Sequence, residues 1–566
     1  MSEPIYLDYA ATTPLHPQVA RAMSDVLSHA AEYGNAASVT HAFGRRAAAR
    51  VEVARAQVAA LIGAQPEEIV FTSGATESNN LALLGVARAN APRGRHIITS
   101  RIEHKAVLDP CRQLEREGFT VTYLAPGPDG RVSPDSVRAA FRADTTLVSI
   151  MHVNNETGVV QDIRAIGELC RERAIVFHTD AAQSAGKLPI DVSTLPVDLL
   201  SFTAHKIYGP QGIGALYVRS GVRPRLWAVS FGGGQERGLR PGTLPLHQIV
   251  GFGEACELAV QALETEPARL RVLQDRLWAA LQRLDGVHLN GGAAPRVPGV
   301  LNVSFEGVEG ESLVTALTSL ALTTGSACNS ASGEPSYVLR ALGRNTQLAQ
   351  SSLRISLGRG TSEADVDAAA QAICEQVARL RAVSPAHTPS SGGSTHLSIA
   401  ATPALGSPFN EPSAGPAKER SSEDGARSLA DPRIGPERDP LSPLARQYFE
   451  ALAGAGVLDE ANAPAGTRIL RGEAGSAADG TWVRFHLAVG DLVVKTALFQ
   501  AYGCPHTLAV ASWLTTQLPG RPRLDAVPGT PAAWLELMQV PVEKLGRLLV
   551  VEDALRATLQ RWNEPH

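Results

Sequence analysis

The sequence predicts an α/β fold with a mostly parallel central sheet over residues 5–382. Short apolar runs rich in β-branched residues recur along this stretch. Helical segments separate them, and polar clusters follow the runs directly. In an open parallel sheet the carboxyl ends of the strands hold the ligand, so those clusters mark the candidate site.

The runs at 68–72, 96–99, 146–150, 175–179 and 197–202 have the length and composition of buried strands. Residues 45–62 and 163–173 read as helices between them. From 384 to 443 the chain turns rich in Pro, Ser, Gly and charge, as in His387-Thr388-Pro389-Ser390-Ser391-Gly392-Gly393. Such a stretch buries too little apolar surface to offset its ordering entropy and is expected to be a flexible, disordered linker. A second unit is expected over 444–566, with a hairpin formed by 482–489, a turn at Gly490-Asp491 and 492–499. Helices at 505–518 and 551–562 follow it, so this unit is α+β.

The 566 residues exceed one ordinary domain, and 44% hydrophobic with 19% charged residues is a globular balance. A net charge of −4 gives no reason to expect nucleic acid as a partner. The six cysteines are scattered, with no C-x-x-C pair, which argues against a disulfide framework or a structural zinc site. The N-terminus lacks a basic stretch followed by an apolar core, and no apolar run approaches the ~20 residues of a membrane helix. The expected setting is cytoplasmic, with no membrane association.

Five clusters carry chemistry. In 201–210, Lys206 lies between a strand and a Gly/Pro loop among small, hydroxylic and imidazole neighbours. A partly desolvated lysine gives up its proton readily and can form a Schiff base, so Lys206 is the candidate to carry pyridoxal 5'-phosphate. The stretch 72–80 offers hydroxyls and backbone amides at a helix start, an anion cup for a cofactor phosphate. In 178–184, Asp180 can pair with a protonated pyridine nitrogen, and Gln183 can donate to the ring's phenolic oxygen. His104, in Glu103-His104-Lys105, can stack on a ring or move protons, and Asn155 in 153–158 can reach cofactor or substrate. Cys328 lies in Gly325-Ser326-Ala327-Cys328-Asn329-Ser330, among small residues rather than large apolar ones, which suits a mobile nucleophile. Arg354, in a later strand-like run, can clamp a substrate carboxylate.

Taken together and in order, the motifs at 6–14, 72–80, 103–105, 154–158, 180–183, 201–210 and 325–328 closely resemble those of the NifS/IscS-type cysteine desulfurases. The resemblance covers the chain to about residue 382. It implies a fold-type I, pyridoxal-phosphate-dependent homodimer that takes sulfur from L-cysteine and leaves alanine. By motif, Lys206 is then the Schiff-base lysine and Cys328 the persulfide-forming nucleophile. Ala75, Thr76, Thr203 and His205 would hold the phosphate, and Thr243 would reach the phosphate of the other subunit's cofactor. Asn155, Asp180 and Gln183 would hold the ring, His104 would stack or shuttle protons, and Arg354 would bind the substrate carboxylate. Thr203 stands where the family often has serine. Partners implied are an iron–sulfur scaffold or other sulfur-acceptor proteins, with Cys328 able to share a cluster transiently.

The unit after the linker resembles the IscU/NifU-type iron–sulfur scaffold, through 499–506 and 540–554. That family uses three cysteines, a histidine and a nearby aspartate. Here only Cys504 remains, with Asp479 near the first cysteine position and Gly546-Arg547 at the His-Cys pair. No metal site is expected, because too few soft ligands are left. Cys504 precedes a helix, where the dipole favours a thiolate, so it is the candidate sulfur acceptor; a module kept only for docking is the alternative. For the whole chain the rivals are another enzyme of the same fold, such as an aminotransferase or selenocysteine lyase, and a non-enzymatic scaffold.

Overall fold

The computed structural model describes residues 3–28, 33–324, 335–384, 441–490, 492–522 and 526–563. Cys328 and nearly all of the expected linker lie outside the described residues.

The central sheet has seven strands: β1 (Ile69–Thr72), β2 (His96–Ser100), β3 (Thr120–Leu124), β4 (Thr145–Ser149), β5 (Val176–Asp180), β6 (Leu199–Thr203) and β7 (Gly214–Val218). Their spatial order is β1-β7-β6-β5-β4-β2-β3. The pairs from β6 to β3 are parallel, and only β7 runs antiparallel to its two neighbours. All strands except β7 therefore end at the same edge. Most are buried on both faces, which explains their continuous apolar runs rather than alternation.

Each predicted strand is present within a residue or two of its expected limits, and the two helices appear as Ala42–Ala60 and Ile163–Glu172. The helix Ala75–Asn90 starts immediately after β1. Its N-cap is Gly74, at φ +154°, with no capping side chain. A side chain at Gly74 would project toward the Thr203 hydroxyl, so this glycine keeps the carboxyl edge open above β6. His178, in the middle of β5, is neutral because burial pushes its pKa down to about 3. Its two ring nitrogens bond Ser149 on β4 and Ser201 on β6, tying three strands together.

A second, antiparallel sheet is built from β8 (Val287–Leu289), β9 (Val300–Phe305), β10 (Thr323–Thr324) and β11 (Ser352–Ser356), in the order β10-β11-β9-β8. The N-terminal strand Ile5–Tyr6 pairs with Leu320–Ala321, and Asp8 bridges to Ser356. The chain start is thereby laid between the two sheets.

Residues from 441 onward form a three-stranded antiparallel meander of β12 (Arg468–Ser476), β13 (Thr481–Val489) and β14 (Val494–Tyr502). The expected hairpin is β13–β14, and the expected helices are Pro505–Gln517 and Leu545–Gln560. The closing helix starts six residues earlier than its apolar spacing suggested. β12 and the helices Pro443–Ala451 and Pro531–Met538 had no clear sequence signal.

This meander is not an isolated bead. The apolar core of the second sheet, with Leu313, Val377 and Leu380, continues without a break into Phe449, Phe485, Phe499 and Leu508. Polar contacts fix the same face: Ser312 Oγ donates to Gly503 O at 2.7 Å, and Arg446 Nη1 donates to Thr315 O at 3.0 Å. Lys544 pairs with Glu311. No helix among the described residues is long and apolar enough to cross a membrane.

Candidate active site

The carboxyl edge of the large sheet opens into a cavity of about 570 Å³. Its wall brings together Ala75, Thr76, His104, Asn155, Asp180, Gln183, Thr203, His205, Lys206 and Arg354, ten residues far apart in sequence. Thr243 is exposed and does not line this cavity. Cys328 lies outside the described residues, but both ends of its segment are placed. The entering strand β10 pairs Thr323 with Arg354 of β11. The chain returns at Ser336, whose hydroxyl bonds Glu156 in the loop after β4. Burial lifts the Glu156 carboxyl to about 7 against the pull of Ser336 and the nearby Arg354 and His104.

Lys206 follows β6 in a single 3-10 turn, Ala204–Lys206. Its Nζ donates to the carbonyl of Ala10. Burial and the neighbouring Lys187 and Arg354 cations, opposed by Asp180 and Asp8, bring its pKa down to about 7. The amine is therefore substantially neutral near pH 7, the state a Schiff-base lysine needs. His205 is driven to about 4 by burial, Lys206 and Lys187, so its ring is neutral, with Nδ1 3.1 Å from Thr12 Oγ1.

Asp180 ends β5. Its Oδ2 accepts from Asn79 Nδ2 at 2.7 Å and its Oδ1 from the Ala182 amide at 2.9 Å. The carboxylate is thus aimed by two donors from different elements. Gln183 Nε2 donates to Ala10 O at 2.8 Å, while its Oε1 accepts from Lys187 Nζ at 3.2 Å. Arg354 is buried, with Nη2 2.7 Å from Asp8 Oδ1 and Nη1 3.1 Å from Asn155 O. Its Nε has no hydrogen-bond partner. His104 caps the helix Lys105–Arg116, Nδ1 accepting from the Ala106 amide at 3.1 Å. That bond uses the Nδ1 lone pair, so the neutral ring carries its proton on Nε2.

Pyridoxal phosphate fits these residues. Asn155 Oδ1 is buried on the wall with no partner of its own. The uncapped helix start beyond Gly74, with the Thr76 hydroxyl and neutral His205, supplies donors for a phosphate, and Thr203, whose hydroxyl donates to Ile213 O at 3.1 Å, lines the same wall. Asp180 supplies the anion for a ring nitrogen, and Lys206 the amine. Asn79 and Lys187 received no role from the sequence. Asn79 lies inside the quoted 72–80 stretch, but only the fold brings it to Asp180, 101 residues later. Lys187 had one signal, its spacing four residues after Gln183.

The second candidate centre, Cys504, caps the helix Pro505–Gln517 and is fully buried, 0% exposed. Its Sγ lies 3.4 Å from Thr507 Oγ1, and the Arg547 guanidinium is close enough for the two charges to act on each other. Arg547 also lies 3.9 Å from the Glu311 carboxylate of the neighbouring sheet domain. An iron–sulfur cluster or zinc does not fit here. Asp479 is tied into the β12–β13 turn by Ser476, Gly546 has no side chain, and Arg547 is a cation where a ligand would stand. Among the described residues no group of three or more His, Cys, Asp or Glu could hold a metal ion.

The class-V aminotransferase family model matches residues 5–369, and the NifU-like N-terminal domain model matches residues 446–565. Proteins called cysteine desulfurase IscS from Serratia proteamaculans and Salmonella schwarzengrund are each 59% identical over 385 residues, 68% of this chain and 95% of theirs. Among solved structures, a NifS-like protein superposes with a TM-score of 0.61 at 36% identity, over 66% of this chain and all of that one. A structure described as SspA in complex with cysteine superposes with a TM-score of 0.56 at 42% identity, over 62% of this chain and 98% of that one.

Proposed function

The chain belongs to the class-V aminotransferase family and is a pyridoxal-phosphate-dependent cysteine desulfurase, and we propose how its own residues divide that reaction. Lys206 carries the cofactor and Cys328 takes the sulfur. The observation that supports this division most is the pKa of Lys206 near 7, produced in a cavity that also holds Asp180 and Arg354.

When bound through Lys206, pyridoxal phosphate supplies an electron sink for the α-carbon of L-cysteine. Asp180, aimed by Asn79 and Ala182, holds the charge opposite the ring nitrogen. Ala75, Thr76, Thr203 and His205 hold the phosphate, and Thr243 reaches the phosphate site of a second subunit in a homodimer. Arg354 presents its unpartnered Nε to the substrate carboxylate, while Asp8 fixes the rest of the guanidinium. Asn155 orients substrate and ring. Lys206 Nζ, neutral, takes the α-proton. The Nδ1 bond of His104 favours a stacking and donating ring there rather than a base. Cys328 Sγ, as thiolate, then attacks the substrate sulfur. An S–S bond forms, the C–S bond breaks, and the carbon fragment keeps the electron pair, is protonated and leaves as L-alanine.

For residues 444–566 we propose a module docked on its own enzyme, joined by a linker over 384–443 to the desulfurase domain of residues 1–383. The continuous core and the Ser312–Gly503 and Lys544–Glu311 contacts support docking. Arg547 at the Cys504 sulfur supports a second role, because a guanidinium balances an anionic sulfur received there. Iron–sulfur assembly proteins or other acceptors are then the partners of the sulfur, in the cytoplasm. No step through a cluster on this module is derived.

Purified protein should show an absorbance band near ~420 nm from the lysine-bound cofactor, lost in Lys206→Ala. Cys328→Ala should keep the band and lose cysteine turnover. Unchanged turnover in Cys328→Ala would instead favour an aminotransferase-like reaction.

A further inference from the structure

Behind Lys206 lies a second, smaller cavity, and Lys187 lines it together with Lys206, Ala10 and Glu266. A second lysine in this place has no part in the reaction described above. Its contacts are specific. Lys187 Nζ donates to Gln183 Oε1 at 3.2 Å. The same amide's Nε2 donates to Ala10 O at 2.8 Å, and Ala10 O also receives Lys206 Nζ. Lys187, Gln183 and Lys206 are thus linked through one carbonyl.

The chemistry of these neighbours leaves the amide one orientation. An ammonium only donates and a backbone carbonyl only accepts. Gln183 must therefore turn its oxygen to Lys187 and its NH₂ to Ala10 and the site. One N–H goes to Ala10 O, and the other is left for an acceptor in the large cavity. The Ala10 carbonyl and Lys187 thus demand the same orientation from opposite ends of the amide, and without Lys187 the carbonyl holds it alone.

We propose that Lys187 is a positioning residue: it reinforces the Ala10 carbonyl in holding Gln183 as a donor toward the cofactor ring, and it sets a second cation beside the Lys206 amine. This rests on Lys206 being the cofactor lysine. The charges facing Lys206 come from several elements: Lys187, Arg354 on β11, Asp180 on β5 and Asp8 near the chain start, with His205 neutral beside it. After burial, Lys187 is the strongest of these influences and lowers the Lys206 pKa. Glu266 tempers the burial of Lys187, whose own pKa falls to about 8, so near pH 7 it is still mostly charged. The sign follows directly. Removing the cation raises the Lys206 pKa, so less neutral amine is present at a given pH.

The test uses full-length protein freed of cofactor and reloaded with pyridoxal phosphate across a pH series, following growth of the ~420 nm band. In the wild type the rate should reach half its maximum near the Lys206 pKa of about 7. In Lys187→Met and Lys187→Gln that midpoint should move up by about one pH unit, slowing loading near pH 7 by roughly fivefold. Lys187→Arg, which keeps a donating cation, should stay with the wild type. Superimposable profiles for the wild type and both uncharged variants would overturn the proposal, as would an Arg variant shifted like them. Two uncharged variants guard against one failing to fold. If the wild type grows no band at any pH, the assignment of the cofactor to Lys206 fails, a result separate from any effect of Lys187.

Discussion

Lys206 and Cys504 each stand just past the end of a strand, at the first turn of a helical segment, yet their surroundings are opposite. Lys206 opens onto a cavity of about 570 Å³ walled by side chains from most of the sheet's strands. Cys504 is sealed, with the Thr507 hydroxyl 3.4 Å from its sulfur and the Arg547 guanidinium nearby. The same local geometry thus yields a reaction centre in one place and a packed junction in the other. What separates them is whether other elements deliver charge and space to the reactive atom.

The sharpest way to separate the two regions is by substitution. Lys206→Ala should lower cysteine turnover by about 10⁴-fold, the upper range for a positioned proton-transfer group, while the unfolding midpoint of the module stays put. The module should behave in the reverse way. Phe485, fully buried on β13, should cost about 3–5 kcal/mol on truncation to alanine, read as a lower denaturation midpoint, with the ~420 nm band retained. Loss of the band in Phe485→Ala would show that the two regions are not separable in this way. Asp180→Asn keeps the shape and removes the charge, so turnover should fall by about 10²- to 10³-fold in steady-state assays.

Smaller effects test the electrostatics and the junction. Lys206 and Lys187 have folded pKa values of about 7 and 8, below the unfolded lysine value. Below pH 7 both states bind these protons. As pH rises from about 7 toward 10 the unfolded chain keeps protons that the folded chain has lost, so cofactor-free protein should gain stability. A melting temperature that rises over this window in the wild type and flattens in Lys206→Met would fit; the same slope in both would not. Lys544→Met, which removes a partly exposed pair with Glu311, should change stability by less than about 1 kcal/mol in chemical denaturation.

Much of the enzyme region was legible in the sequence, because parallel strands buried on both faces leave unbroken apolar runs and the polar residues after them become the site. Lys206, Asp180, Gln183, His104, Asn155 and Arg354 all reach one cavity as expected. Asn79 and Lys187 escaped notice because their roles depend on partners supplied by the fold, the Asp180 carboxylate and the Gln183 amide. In the module, β13 and β14 showed through alternation. β12 carries Arg471, Gly472 and Glu473 in its interior, which masks a strand. The docking itself had no sequence signature, because apolar residues facing another domain read like residues facing their own core.

The most direct measurement is mass spectrometry of the unreduced full-length protein after turnover of L-cysteine. The account predicts one added sulfur atom on the peptide holding Cys328, absent in Lys206→Ala. Sulfur found next on Cys504 would make the module an acceptor, and its absence would leave docking alone. Alanine formed at full rate with no added sulfur on Cys328 would contradict the division of labour between the lysine and the thiol.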